Sequence, residues 1–182
     1  MHPYEMRAVM QERGHDQVVR MRGGSLYDTV ERLARAGLIE AQETSREGRR
    51  PERTTYAITE AGRDELTAWV AELIFQPVND YPQFASGLAF ILVLPQEQVS
   101  PLLTRRAAAL AADVAATHSL LQSMLQAHLP RILLLEVEHK LAMREAELKW
   151  VRSLVQDIKE GSLVWPDWER FESEVVPRDK VP

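Results

Sequence analysis

Arginine supplies most of the chemistry that this sequence offers. Arg32 and Arg35 fall in a stretch with helical periodicity. Arg46, Arg49, Arg50 and Arg53 fall in and beside a polar run, Thr44 to Glu52, punctuated by Gly48 and Pro51. A guanidinium presents five donors in a planar fork, which matches two acceptors on a guanine edge or a phosphate. The hydroxyls of Ser25 and Tyr27, near the start of the helical stretch, add donors suited to phosphate oxygens, and Thr29 falls on the same outward side. Glu47 and Glu52 interrupt the arginine run. An arginine-rich hairpin with acids interspersed is more often a solvated loop. Residue types alone therefore leave two readings open.

The other candidate chemistry is metal binding. Glu136 and His139 stand three apart on one helical stretch, and Glu12 and His15 repeat the spacing. Paired Glu-x-x-His helices are the signature of carboxylate-bridged di-metal bundles, which need two further inward-facing glutamates. Gly14 ends the first stretch before His15, and His139 lies off the apolar seam carrying Val137 and Leu141, so a surface pair is the better reading. The chain has no cysteine, which removes disulfides, thiolate catalysis and zinc sites built on Cys. No glycine-rich phosphate loop or nucleophile elbow is present. The expectation is a protein that is not an enzyme, with no cofactor and no metal.

The elements that would position the arginines follow from periodicity and punctuation. Pro3 to Arg13 predicts a short helix, with Tyr4, Met6, Val9 and Met10 available for its apolar side and Gly14 as its stop. A connector, His15 to Gly24, leads to Ser25 as an N-cap. Leu26, Val30 and Leu33 then form the buried stripe of a second helix, which ends at Ala36-Gly37. Asp28, Thr29, Arg32 and Arg35 face outward. Leu38 to Glu43 and Arg53 to Thr59 predict two strands around the arginine-bearing tip. Thr59 caps a further helix to Ile74, with Leu66, Trp69, Val70 and Leu73 as its apolar face. Helix, turn, helix and a two-stranded wing form an arrangement for reading duplex DNA, because the major groove admits one α-helix.

Gln76 to Pro82 breaks the pattern and predicts a boundary between domains at 1–75 and 81–161, with a tail at 162–182. The second half predicts helices only: a short apolar one from Pro82 to Leu94, a long one to about Leu129, and another from Pro130 to Gly161. Heptad spacing places Leu103, Ala107, Leu110, Val114, Thr117, Leu121, Met124 and His128 on one seam, and Arg144 and Ile158 on the other together with Leu134, Val137, Leu141, Leu148, Val151 and Val155. Such a hairpin has more apolar edge than it can bury alone, which predicts a homodimer with those last six residues at the interface. The fold class is mainly α, a winged helix-turn-helix domain followed by an all-α dimerisation domain.

Composition agrees with this outline. Hydrophobic residues make up 45% and charged residues 27% of 182, enough for a core and unlike a disordered chain. The net charge is −5, but it is unevenly spread. Residues 1–58 carry ten Arg, no Lys and nine Asp or Glu, while the remainder carries −6. An arginine-rich, near-neutral segment suits a modest DNA-contacting face rather than a general polyanion binder. No apolar run is long enough to span a bilayer, and the N-terminus does not read as a signal peptide. A cytoplasmic protein without a membrane partner is expected.

Particular motifs add a resemblance. Met1 to Met6, Gly24-Ser25-Leu26-Tyr27, Leu33 to Ile39, Gly48-Arg49-Arg50-Pro51 and Tyr56 to Gly62 resemble, in order and spacing, the PadR-type transcriptional regulators. Leu94-Pro95, Leu103 to Arg106, Pro130-Arg131 and Leu134 to His139 through Trp150-Val151 resemble the C-terminal region of virulence activator alpha-type PadR proteins. The resemblance implies a homodimeric regulator of nearby genes, with repression the expected sign and double-stranded DNA the partner. By the family pattern, Ser25 and Tyr27 in the recognition helix and Gly48, Arg49 and Arg50 in the wing fall at DNA-contacting positions. Family members carry an apolar helix ahead of the His-Pro-Tyr motif, and here the chain starts inside that motif, so the first helix of the domain is expected to be missing. A small-molecule effector in a cavity lined by Trp69 and Trp150 at the dimer interface is a further reading, although a tryptophan at a helical apolar position is more often core. The alternative function is a dimerising helical module, or antagonist, that has lost DNA binding.

Overall fold

The structure is a computed structural model that describes residues 1–14, 25–45, 53–79 and 81–166. The chain divides into two compact units, Met1–Asp80 and Tyr81–Pro182.

In the first unit, helix α1 runs Pro3–Glu12 and is closed at its start by a capping box. The His2 ring accepts from the amide of Tyr4 at 3.2 Å, and Glu5 Oε2 accepts from the amide of His2 at 3.0 Å, which satisfies two of the donors a helix start leaves open. Gly14, with φ 72°, turns the chain out of the helix. Of the four side chains expected on its apolar side, Met6, Val9 and Met10 are half-buried, whereas Tyr4 is 70% exposed. At 100° per residue Tyr4 falls opposite the other three. Helix α2, Ser25–Arg35, buries Val30 to 4% and half-buries Leu26 and Leu33. It ends in a Schellman turn: the amide of Leu38 donates to Leu33 O and that of Gly37 to Ala34 O, both at 3.0 Å. Gly37 holds φ 72°, where a β-carbon would be strained.

Strands β1 (Ile39–Ser45) and β2 (Arg53–Ile58) pair antiparallel, Ile39 opposite Ile58 and Ser45 opposite Arg53, with a bulge between Ala41 and Glu43. On the other edge of β2, Met1 exchanges both backbone bonds with Tyr56, at 2.9 and 3.0 Å. Helix α3 runs Glu60–Phe75. Its cap, Thr59, accepts from the amide of Gly62 at 3.0 Å and donates to Gly37 O at 2.8 Å, so one hydroxyl ties α3 to the end of α2. The stripe Leu66, Trp69, Val70 and Leu73 is exposed, Trp69 at 57%.

The second unit holds helices α4 (Gln83–Ala89), α5 (Gln96–Gln126) and α6 (Leu135–Glu160), with 3-10 turns at Ile91–Val93 and Arg131–Leu133. The expected single helix from Pro82 to Leu94 is interrupted at Phe90, where φ is −114°. Pro101 lies inside α5, past the first turn where its missing amide would cost nothing. Gly161, at φ 71°, ends α6. Helices α5 and α6 pack antiparallel. Val99 and Leu103 meet Val155 and Ile158 at one end, and Leu121 meets Leu134 and Leu141 at the other. An ionic edge runs alongside: Arg106 Nε donates to Glu147 at 2.9 Å, and Asp113 pairs with Arg144 at 3.2 Å and Lys140 at 3.7 Å.

This packing bears on the expected interface, because the six residues named for it are covered within one chain. Leu134 and Val151 are wholly buried; Leu148 and Val155 are buried in the cluster with Val151, and Leu141 is buried in the cluster with Leu134, against which Val137 is half-buried. Their apolar surface is covered by α5 of the same chain. A heptad pattern reports that a stripe is buried and is silent on which chain covers it.

Candidate nucleic-acid interface

The first unit holds the two parts that duplex recognition needs, a helix with a polar outer side and a two-stranded wing. Burial of Val30 fixes the rotation of α2, leaving Tyr27, Asp28, Glu31, Arg32 and Arg35 exposed. Arg32 Nη2 lies 3.4 Å from Thr29 Oγ1, one turn back on the same side of the helix. Thr29 itself is half-buried. Ser25 opens α2, and Arg53 opens β2 opposite Ser45. Arg46, Gly48, Arg49 and Arg50, the expected wing-tip contacts, lie outside the described residues. The strands β1 and β2 run to either side of that tip.

The outer side of α2 is electrically mixed, since Asp28 and Glu31 stand beside Arg32 and Arg35. Such a surface disfavours indiscriminate attraction to phosphate, and it leaves the directional donors of Arg32 and Tyr27 as the groups able to discriminate. The motif Thr59 to Gly62 has a purely structural part. A β-carbon on Gly62 would stand 2.0 Å from Leu38 O, so only glycine lets α3 approach the start of the wing this closely.

The sequence reading missed one group. Tyr4, Arg7 and Gln11 fall on one side of α1 and, with Leu26 and Tyr27 of α2, line a cleft of about 290 Å³. The signal is present as i, i+3, i+7 spacing, but the aromatic ring of Tyr4 reads in the sequence as part of the apolar side. A second cleft, about 490 Å³ and mostly apolar, lies among Leu33, Leu38, Ile39, Ile58, Leu66 and Trp69. In the second unit Phe84 meets Trp150 edge to face, with ring centroids 6.1 Å apart, and Arg106 stands 3.7 Å over the Phe84 ring. Neither tryptophan is a core residue here, since both are exposed. No group of three or more His, Asp or Glu suited to a metal ion occurs among the described residues, and no helix among them is long and apolar enough to cross a membrane.

Comparison with known proteins bears on this arrangement. Residues 1–68 match the family model of the transcriptional regulator PadR-like family. The chain is similar to Bacillus subtilis PadR solved in complex with operator DNA, at 19% identity over 87% of this chain and 91% of that one, with a TM-score of 0.71. The same Bacillus subtilis protein in complex with p-coumaric acid is similar at 18% identity over 87% and 90%, with a TM-score of 0.70. The PadR-like regulator BC1756 from Bacillus cereus is similar at 14% identity over 88% and 91%, with a TM-score of 0.59. None of the curated proteins matches the chain. Residues 1–68 thus match the PadR-like family model, and most of the chain shares the winged-helix-plus-helical fold of the solved PadR structures.

Proposed function

We propose that the protein is a DNA-binding transcriptional regulator that acts as a homodimer on operator DNA, with repression as its mode. The observation that carries this reading is the exposure of Arg32 and Tyr27 on α2, beside a wing whose strands lead to the arginine-bearing tip. Arg32 reads a base edge or a phosphate, while Ser25, Tyr27 and Thr29 supply hydroxyls at the groove's rim. Arg46, Arg49, Arg50 and Arg53, with Gly48 allowing close approach, engage the flanking backbone. The Bacillus subtilis relative was solved on operator DNA, which supports the same ligand class here.

The second unit acts as the dimerisation domain, of the virulence activator alpha type. An ordinary surface helix has one apolar side, and α6 has two. Opposite its buried seam it exposes Leu135, Ala142, Met143, Ala146 and Trp150, which suits burial by a second copy. The outer side of α5 is similar in character. From Ala107 to Leu129 its one Asp, Glu, Lys or Arg is Asp113, already paired with Arg144 and Lys140. A small-molecule effector is the natural regulator. The apolar cleft under Trp69 is within the size range of drug-like sites, and the relative solved with p-coumaric acid fits that role.

The test is selection of duplex fragments from random DNA by the purified chain, followed by titration at several salt concentrations. Selection of a pseudo-palindrome with a steep salt dependence is the expected result. Retrieval of no enriched duplex would favour a helical module that does not bind DNA.

A further inference from the structure

We propose that the cleft between α1 and α2 is a second anchor for a backbone phosphate of the duplex, centred on Arg7 and completed by Tyr4, Gln11 and Tyr27. This rests on the DNA-binding reading and assigns a site on an element outside the recognition helix and the wing. Tyr4, Arg7 and Gln11 project from one side of α1 toward the first turn of α2, where Tyr27 closes a cleft of about 290 Å³. Among the described residues, the polar side chains lining it are a guanidinium, two phenols and an amide, each able to donate, and none is a carboxylate.

The acids of α1 lie elsewhere. Glu5 is engaged by the amide of His2 in the capping box, and Glu12 is not part of the cleft. Among the described residues no carboxylate forms an ion pair with Arg7, in contrast to Arg106, Arg131 and Arg144 in the second unit. A cluster of donors with an exposed, uncompensated guanidinium suits an oxyanion. The position selects which oxyanion. In a helix-turn-helix unit the second helix enters the major groove while the first crosses the sugar-phosphate backbone. A cation midway along α1, beside the opening turn of α2, stands at the edge of that groove. Tyr27 is shared between the two sites, so the phosphate held here sets how deeply α2 enters the groove.

The experiment compares wild type, Arg7→Ala and Tyr4→Phe on the selected duplex and on an unrelated duplex, between about 50 and 200 mM salt. One phosphate contact adds about 0.9 to the log–log salt slope. With one such contact per half-site, Arg7→Ala should therefore lower the slope of the dimer by about 1.8, and its loss of affinity relative to wild type should shrink about 12-fold over that range. The loss should be equal on both duplexes, because a phosphate carries no sequence. Ethylation interference should fade at one phosphate per half-site in Arg7→Ala and persist elsewhere. Tyr4→Phe should weaken binding with the slope unchanged. An Arg7→Ala protein that keeps the wild-type slope and interference pattern overturns the anchor while leaving the DNA-binding reading intact. A wild-type chain that binds no duplex overturns both. If inorganic phosphate perturbs the Tyr4 and Tyr27 resonances of wild type but not of Arg7→Ala, and duplex slopes stay equal, the cleft takes a free anion and the duplex assignment fails.

Discussion

Gly62 is the position where a single atom decides the geometry of the first unit. Inside a helix, alanine is ordinarily favoured over glycine by about 0.8–1 kcal/mol. At Gly62 the sign should reverse. The added carbon would stand 2.0 Å from Leu38 O and 2.9 Å from the Ile58 side chain. Leu38 O is itself pinned, since it accepts from the amide of Thr59 at 3.1 Å. Overpacking against fixed backbone costs about 1–3 kcal/mol, so Gly62→Ala should loosen the seat of β1 and β2. Hydrogen exchange is the measurement: the amides of β1 and β2 should lose protection while those of α5 and α6 keep theirs. Gained protection in the strands would mean that Gly62 is an ordinary helical glycine. This glycine was visible in the sequence within the run Thr59 to Gly62. What the sequence withheld was Leu38 O, a backbone atom brought there by the Schellman turn two elements earlier. Arg32 was legible for a different reason. Its orientation follows from Val30 two positions before it, and helical period alone gives that.

The helices were readable from sequence where period and punctuation agree: α2 combines its apolar period with the Gly37 stop, and α3 combines its period with the Thr59 cap. Where the sequence misled, two signals competed. The apolar run Gly87 to Leu94 matched a helix in composition, yet its residues divide between the end of α4 and the 3-10 turn, because Phe90 leaves helical geometry. Within the α5–α6 hairpin the energetics are those of a core. Val151 is wholly buried and Leu148 nearly so, and Leu148→Ala should cost about 2–5 kcal/mol. Urea unfolding followed by circular dichroism checks this, and a midpoint unchanged from wild type would contradict the packing described. The hairpin turn carries a separate electrostatic latch. Arg131 donates to both oxygens of Glu138, at 3.0–3.2 Å, and these hydrogen bonds hold the Glu138 carboxyl below the usual carboxylate range. A depressed folded pKa gives stability that is present above the unfolded value and lost as pH falls through the folded one. Both groups are accessible to solvent, so water screens the contribution. Carbon-detected NMR titration should place Glu138 below an ordinary glutamate, and Arg131→Ala should return it to the ordinary range.

Beyond one chain, the question is what covers the outer side of α6. The heptad seam indicated a surplus of apolar surface, but the residues it named are covered by α5 of the same chain. Leu134, Leu141, Leu148, Val151 and Val155 are buried within the chain, whereas Leu135, Met143 and Trp150 stand exposed on the opposite side. A period of 3.5 finds the deepest stripe first, and the second stripe is harder to see because alanines fill the gaps between its large members. The two sides make different claims about substitution. Leu141→Glu puts an unpaired charge into a packed interior, and the chain should lose helicity as well as association. Met143→Glu places the same charge on an accessible surface, where one chain loses nothing by it. In a two-fold dimer, that charge meets its own copy or the partner's apolar side and is desolvated there. The expectation for Met143→Glu is therefore a folded monomer, with wild-type helicity and half the sedimenting mass. DNA binding supplies a second readout. A two-fold protein engages two half-sites about one helical turn, or a multiple, apart, so the monomer should bind a single half-site as wild type does at equal unit concentration and should lose the gain from joining two. A Met143→Glu protein that still sediments as the wild-type species would remove α6 from the interface, and the exposed stripe of α3 would become the next surface to test.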